Sequence, residues 1–61
     1  MSQLNQMELQ NIRHLVGCHE VAAQKLDTYA QSVNDPQIRQ MFQQSAQSAR
    51  DGKQKLMSFL N

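Results

Sequence analysis

The residues best suited to chemistry lie together in the first half of the chain. His14 and Cys18 are four residues apart, and His19 and Glu20 follow directly. On a helix, residues four apart lie on the same side, so His14 and Cys18 could bind one metal ion together. A structural metal site needs about four ligands, and one chain does not supply them. We therefore predict no metal site, and keep His14, Cys18 and His19 as the candidate ligands of an alternative, metal-binding function.

The spacing patterns of enzymes are missing from this sequence. A ferritin-like di-iron site needs Glu-x-x-His on neighbouring helices, but residues 36–60 contain neither glutamate nor histidine. No catalytic triad, glycine-rich phosphate loop or pair of neighbouring carboxylates can be recognised. The sequence predicts no catalytic residue, no cofactor and no enzymatic activity.

The charge and hydropathy of the chain exclude further classes of function. The 61 residues carry a net charge of +1, without the basic surplus of a nucleic-acid-binding domain. No apolar run approaches the roughly 20 residues of a membrane span, and the first residues lack the pattern of a signal peptide. A single free cysteine is typical of a reducing compartment. We predict an intracellular protein that binds neither nucleic acid nor membranes.

Local signals divide the chain into two helices. Asn5 and Glu8 have the spacing of a capping box, which predicts that helix one begins at residue 5. Asn34 and Asp35 suit a turn, and Pro36 suits the first position of a second helix. The sequence predicts one domain over residues 1–61, with a helix over 5–33, a turn at 34–35 and a helix over 36–60. The fold class is all-α, an antiparallel helical hairpin.

Apolar residues recur along both helices at alternating steps of three and four, the spacing of helices that pack lengthwise. We call these positions the predicted seam. On helix one they are Ile12, Leu15, His19, Ala22, Leu26, Tyr29 and Val33. On helix two they are Ile38, Phe42, Ser45, Ala49, Gly52, Leu56 and Phe59. The two sets pair outward from the turn, and this pairing places His19 opposite Gly52. We expect the glycine to make room for the imidazole.

A second apolar row lies beside the predicted seam on helix one. Its members are seven residues apart: Leu9, Val16, Ala23 and Ala30. Helix two has a weaker equivalent in Ala46 and Leu60. A chain this short is marginal as a monomer, and we expect the hairpin to leave the second row uncovered. We therefore predict self-association through this row, giving a homodimeric four-helix bundle.

Four stretches carry a resemblance to a known group of proteins: residues 7–17 (MELQNIRHLVG), His19-Glu20, residues 35–37 (DPQ) and residues 53–56 (KQKL). In these the chain resembles very short spore-coat-like proteins of spore-forming Firmicutes, related to the coat protein F group. The resemblance covers nearly the whole chain, which represents about one helical hairpin of the longer coat protein pattern. It implies a ferritin-like helical architecture, expression linked to sporulation, and a place in the spore coat or in the forespore or mother-cell cytoplasm.

We therefore expect a small non-enzymatic structural or assembly protein, similar to spore coat components and working as a homo-oligomer. Its other partners would be further coat proteins. One alternative is a helical-hairpin module that binds and regulates a signalling protein. The other is the small metal-binding protein built on the histidines and the cysteine. Recovery of the protein from spore coats would favour the structural role. Capture of a signalling protein would favour the regulatory module, and stoichiometric bound metal would favour the metal-binding protein.

Overall fold

The computed structural model describes residues 4–60, and it contains two helices: α1, Gln6–Ser32, and α2, Pro36–Met57. The helices lie side by side and run in opposite directions, since Tyr29 near the end of α1 contacts Phe42 near the start of α2. Residues 4–60 contain no strand. The predicted all-α helical hairpin is confirmed.

The start of α1 is fixed by the predicted capping box. The side-chain oxygen Oδ1 of Asn5 accepts a hydrogen bond from the backbone N–H of Glu8 at 2.8 Å, and the backbone N–H of Asn5 donates to Oε1 of Glu8 at 3.0 Å. Two backbone groups that the helix itself cannot satisfy thus find partners. The helix proper begins at Gln6, with Asn5 as its N-cap.

The turn is built by Asp35 and Pro36. The carboxylate of Asp35 accepts from the backbone N–H groups of Gln37, at 2.8 Å, and Ile38, at 3.3 Å, which caps α2. Pro36 occupies the first helical position, where no backbone donor is needed. The C-cap of α1 is Val33 in an extended conformation, so the helix ends one residue before the predicted position 33. The backbone after α1 therefore turns without a left-handed residue.

Helix α2 ends three residues before the predicted position 60. After Met57 the backbone tightens, since the N–H of Phe59 donates to the carbonyl of Leu56 and that of Leu60 to Met57. The hydroxyl of Ser58 donates to the carbonyl of Lys55 at 2.6 Å. Bonds to the third preceding residue are typical of a helix that is ending.

The contact between the helices is built on alanine. Among residues 4–60, the buried hydrophobic side chains are Ala23, Ala30 and Ala46, and no large side chain is fully buried. Larger residues on both sides of these alanines are half-buried: Leu9, Ile12, Val16, Leu26, Val33, Phe42, Leu56 and Leu60. Small side chains let the two backbones approach closely, so the alanines lie on the line of closest contact.

This arrangement corrects the predicted seam. Leu15, Ala22 and Tyr29, which we expected between the helices, are exposed. The expectation that the hairpin leaves the second row uncovered is wrong, since Ala23 and Ala30 are buried within it. Leu9 and Val16, the other members of that row, are half-buried. The helices contact each other along the rows that contain Ala23, Ala30 and Ala46, because small side chains let the two backbones approach closely.

The hairpin is one layer of helices. Its Cα atoms span 46 × 17 × 12 Å, and its radius of gyration is 14.3 Å, against about 10–11 Å for a compact chain of this length. Stable domains bury the apolar sides of their helices between at least two layers. The hairpin therefore keeps a broad surface on each side of the helix pair. Within residues 4–60, neither helix is apolar and long enough to cross a membrane.

Candidate functional site

The two sides of the groove between the helices differ in chemistry. On one side, ion pairs cross from helix to helix: Lys53 Nζ lies 3.6 Å from Glu20 Oε1, and the guanidinium of Arg50 donates to the carboxylate of Asp27. Glutamines and Arg39 continue the same side. Exposed ion pairs contribute at most about 1 kcal/mol each. Their main consequence is a polar, hydrated surface, which we call the polar side.

The opposite side of the groove is apolar. It consists of two rows whose members are seven or fourteen residues apart, so each row follows one edge of its helix. We call these residues the open face: Leu15, Ala22 and Tyr29 on α1, Ile38 and Ser45 on α2, and Phe59 in the turn that follows α2. All six are exposed, the large ones at 44% for Leu15, 52% for Tyr29, 43% for Ile38 and 55% for Phe59. Exposed apolar side chains grouped in this way make the open face a candidate interaction surface.

Tyr29 and Phe42 give the open face a fixed aromatic pair near the turn. Their ring centroids lie 6.3 Å apart with an angle of 57° between the ring planes. This tilted geometry is one that aromatic rings favour, and it contributes about 0.5–1.5 kcal/mol beyond the buried area. The pair also confirms the predicted register, in which Tyr29 lies opposite Phe42.

His19 and Gly52 meet at mid-groove, as the sequence predicts. A Cβ atom built on Gly52 would lie 2.9 Å from Cδ2 and 3.0 Å from Nε2 of His19. The ring is held in place, because Nδ1 donates a hydrogen bond to the backbone carbonyl of Leu15 at 2.8 Å. In the neutral ring this bond places the proton on Nδ1, and Nε2 is then a hydrogen-bond acceptor above the glycine.

The accessible surface of the chain is larger than that of a compact monomer of the same mass. The chain exposes 5003 Å², whereas a compact monomer of 7.0 kDa is expected to expose about 4,000 Å². The difference of about 1,000 Å² is comparable with the roughly 800 Å² that each partner buries in a standard interface. One more layer of helices on the open face would bring the exposure into the usual range.

The three candidate metal ligands do not form one cluster. His14 and Cys18 are exposed on the outer side of α1, along a shallow depression that also includes Gly17 and Val21. His19 instead faces α2 through its contact with Gly52. Within residues 4–60, no three histidine, cysteine or acidic side chains are grouped closely enough to hold a metal ion.

The comparisons with known proteins return no relative. No family model matches the chain, and neither a curated protein nor a solved structure matches it. The functional argument therefore depends on the open face itself. The sequence held a signal for this face: the row that includes Leu15 and Tyr29 carries large side chains, whereas the neighbouring row carries Ala23 and Ala30.

Proposed function

We propose that this chain is a small non-enzymatic assembly protein that works as a homodimer, two hairpins packing through their open faces into a four-helix bundle. The observation that carries the proposal is the exposed apolar surface along both helices of a hairpin that is one layer thick. A second copy has the same length and the same face, so it would cover the open face from end to end. The resemblance to short spore-coat-like proteins supports a structural role and a place in the spore.

The polar side explains why the assembly would stop at two copies. An open-ended stack of hairpins would need an apolar surface on both sides of each layer. Here the ion pairs Glu20–Lys53 and Asp27–Arg50 occupy the second side, and their removal from water would be costly. A pair that joins identical surfaces around a two-fold axis is closed. Any larger lattice, such as a coat, would be built from these dimers by other contacts.

Sedimentation equilibrium tests the proposed dimer. We expect the unmodified chain to have a mass twice its 7.0 kDa at micromolar concentrations. Leu15→Glu places a carboxylate in the open face and should shift the protein to monomers or unfold it. Val21→Glu is the matched control, since Val21 is also an exposed large aliphatic residue, at 50%, but lies away from the groove.

A folded monomer at high micromolar concentration would refute the dimer. Equal effects of the two glutamate variants would show that the open face has no special role. If Leu15→Glu unfolds the chain, circular dichroism of the unmodified chain at increasing protein concentration still tests the dimer. Folding of the unmodified chain should then depend on concentration, since dimer stability does.

The spore assignment is tested separately. We expect an antibody against the chain to detect it in a sporulating culture of its source organism and to recover it with purified spore coats. Equal amounts in vegetative cells, with none in the spore fraction, would overturn the assignment and leave the dimer untouched.

A further inference from the structure

We propose that the two copies pack with their turns at opposite ends, around a two-fold axis that crosses the level of Ala22 and Ala49. In this arrangement Ser45 of the partner subunit donates a hydrogen bond to Nε2 of His19. The proposal extends the proposed homodimer and names the geometry of the same face.

The first argument is the distribution of side-chain size along the open face. Large residues lie toward the turn, where Tyr29 packs on Phe42 beside Ile38. Large residues also lie toward the free ends, at Leu15 and Phe59. Between them the face is narrow, with Ala22 and Ser45 and, beside them, the half-buried Ala49 and Gly52. The face therefore has two bulky ends and a small middle, and its middle falls at Ala22 and Ala49.

The two possible orientations fill the bundle differently. If the turns lie at the same end, residues at a given height along one hairpin pack against the same residues of the second copy. Four aromatic rings, Tyr29 and Phe42 of each copy, would then crowd together. Two imidazoles would likewise meet at the level of His19. With turns at opposite ends, Tyr29 of one copy meets Leu15 of the other, and the level of His19 meets that of Leu26. Protein interiors are packed at uniform density, so the second orientation fits better.

The second argument is the unused acceptor on His19. The ring is half-buried, its Nδ1 is engaged by the carbonyl of Leu15, and its Nε2 lies above Gly52 at the centre of the groove. Covering this nitrogen with an apolar layer would bury an acceptor without a donor, which is costly. The proposed two-fold axis brings Ser45 of the partner subunit to the level of Gly52. A hydroxyl there can donate to Nε2.

Spin labels on the turn measure the orientation. Cys18 is exposed and must first be removed, so the label is attached to Asn34→Cys in a Cys18→Ser background. Asn34 is twelve residues from Ala22, or about 18 Å at 1.5 Å per residue. The two labels should therefore lie about 35–40 Å apart in double electron–electron resonance. A separation below about 20 Å would mean turns at the same end and would overturn the proposal.

Dilution with unlabelled protein shows that the distance arises within one pair. A sample without any dipolar coupling, together with a monomeric mass, would refute the dimer itself. A short distance with a dimeric mass would refute only the orientation. The two failures are therefore distinguishable.

Ser45→Ala tests the hydrogen bond. We expect this variant to weaken the dimer by roughly 5- to 150-fold in Kd, because the two-fold axis makes it remove two neutral hydrogen bonds per dimer. The effect should vanish when His19→Ala is already present. Ser48→Ala is the matched control, because it makes the same substitution three residues away on α2, at an exposed position outside the open face. An equal Kd for the two serine variants would exclude Ser45 as the donor.

Discussion

Replacing Gly52 by alanine tests the structure at its most closely packed point. In an ordinary helix interior, this change stabilises a protein by up to about 1 kcal/mol, because glycine has the poorer helix propensity. At this position the new methyl group would lie 2.9 Å from Cδ2 of His19, closer than two carbon atoms can pack. Such overpacking costs about 1–3 kcal/mol. The ring cannot turn away freely, since its Nδ1 is bonded to the carbonyl of Leu15.

We therefore expect Gly52→Ala to lower the free energy of unfolding by up to about 2 kcal/mol, the difference between these two effects. In a His19→Ala background the clash is gone, and the same change should stabilise the protein by up to about 1 kcal/mol. The coupling between the two positions should be about 1–3 kcal/mol, as expected for residues in contact. Urea unfolding followed by circular dichroism, at one fixed protein concentration, measures all four proteins of the cycle.

Gly17→Ala supplies the control within the same chain. A Cβ atom on Gly17 would meet nothing within 4 Å, so this substitution should stabilise the protein by up to about 1 kcal/mol. The gain should be the same with and without His19. If Gly52→Ala stabilises the protein as much as Gly17→Ala does while His19 is present, His19 does not pack against Gly52.

Two further predictions concern the turn and the outer side of α1. Asp35→Ala removes the acceptor that caps α2 and should cost about 1 kcal/mol, or about 4–8 °C in Tm; Asp35→Asn should keep most of the stability, and equal losses in calorimetry would exclude capping as the cause. Replacing both His14 and Cys18 by alanine should change the free energy of unfolding by less than about 0.5 kcal/mol. A lower Tm, accompanied by the loss of stoichiometric zinc in metal analysis, would instead establish a metal site.

Much of the local structure follows from the sequence alone. Asn5 and Glu8 predict the start of α1, and Asp35 with Pro36 predicts the start of α2; the structure has the hydrogen bonds that these residues imply. These signals are reliable because capping depends on residues within one turn of each other. The end of α2 was less predictable, since residues 58–60 continue the apolar pattern although the helix stops at Met57.

The register between the helices also follows from the sequence. A turn this short fixes which residues of α1 and α2 lie at the same level, so counting outward from it places His19 with Gly52 and Tyr29 with Phe42. Both contacts are present. The absence of a recognisable catalytic pattern could be stated at the same stage. The self-association surface was predicted on the row of Leu9, Val16, Ala23 and Ala30, whose two alanines are buried between the helices.

Only the tertiary structure decided how far each helix is rotated about its own axis. Two apolar rows lie side by side on α1, one with Leu15 and Tyr29, the other with Ala23 and Ala30, and periodicity favours both equally. The choice depends on how closely two backbones can approach, which is a property of both helices together. Alanines on α1 and α2 allow the close approach and are buried. The larger side chains are consequently left on the open face, where a second hairpin could cover them.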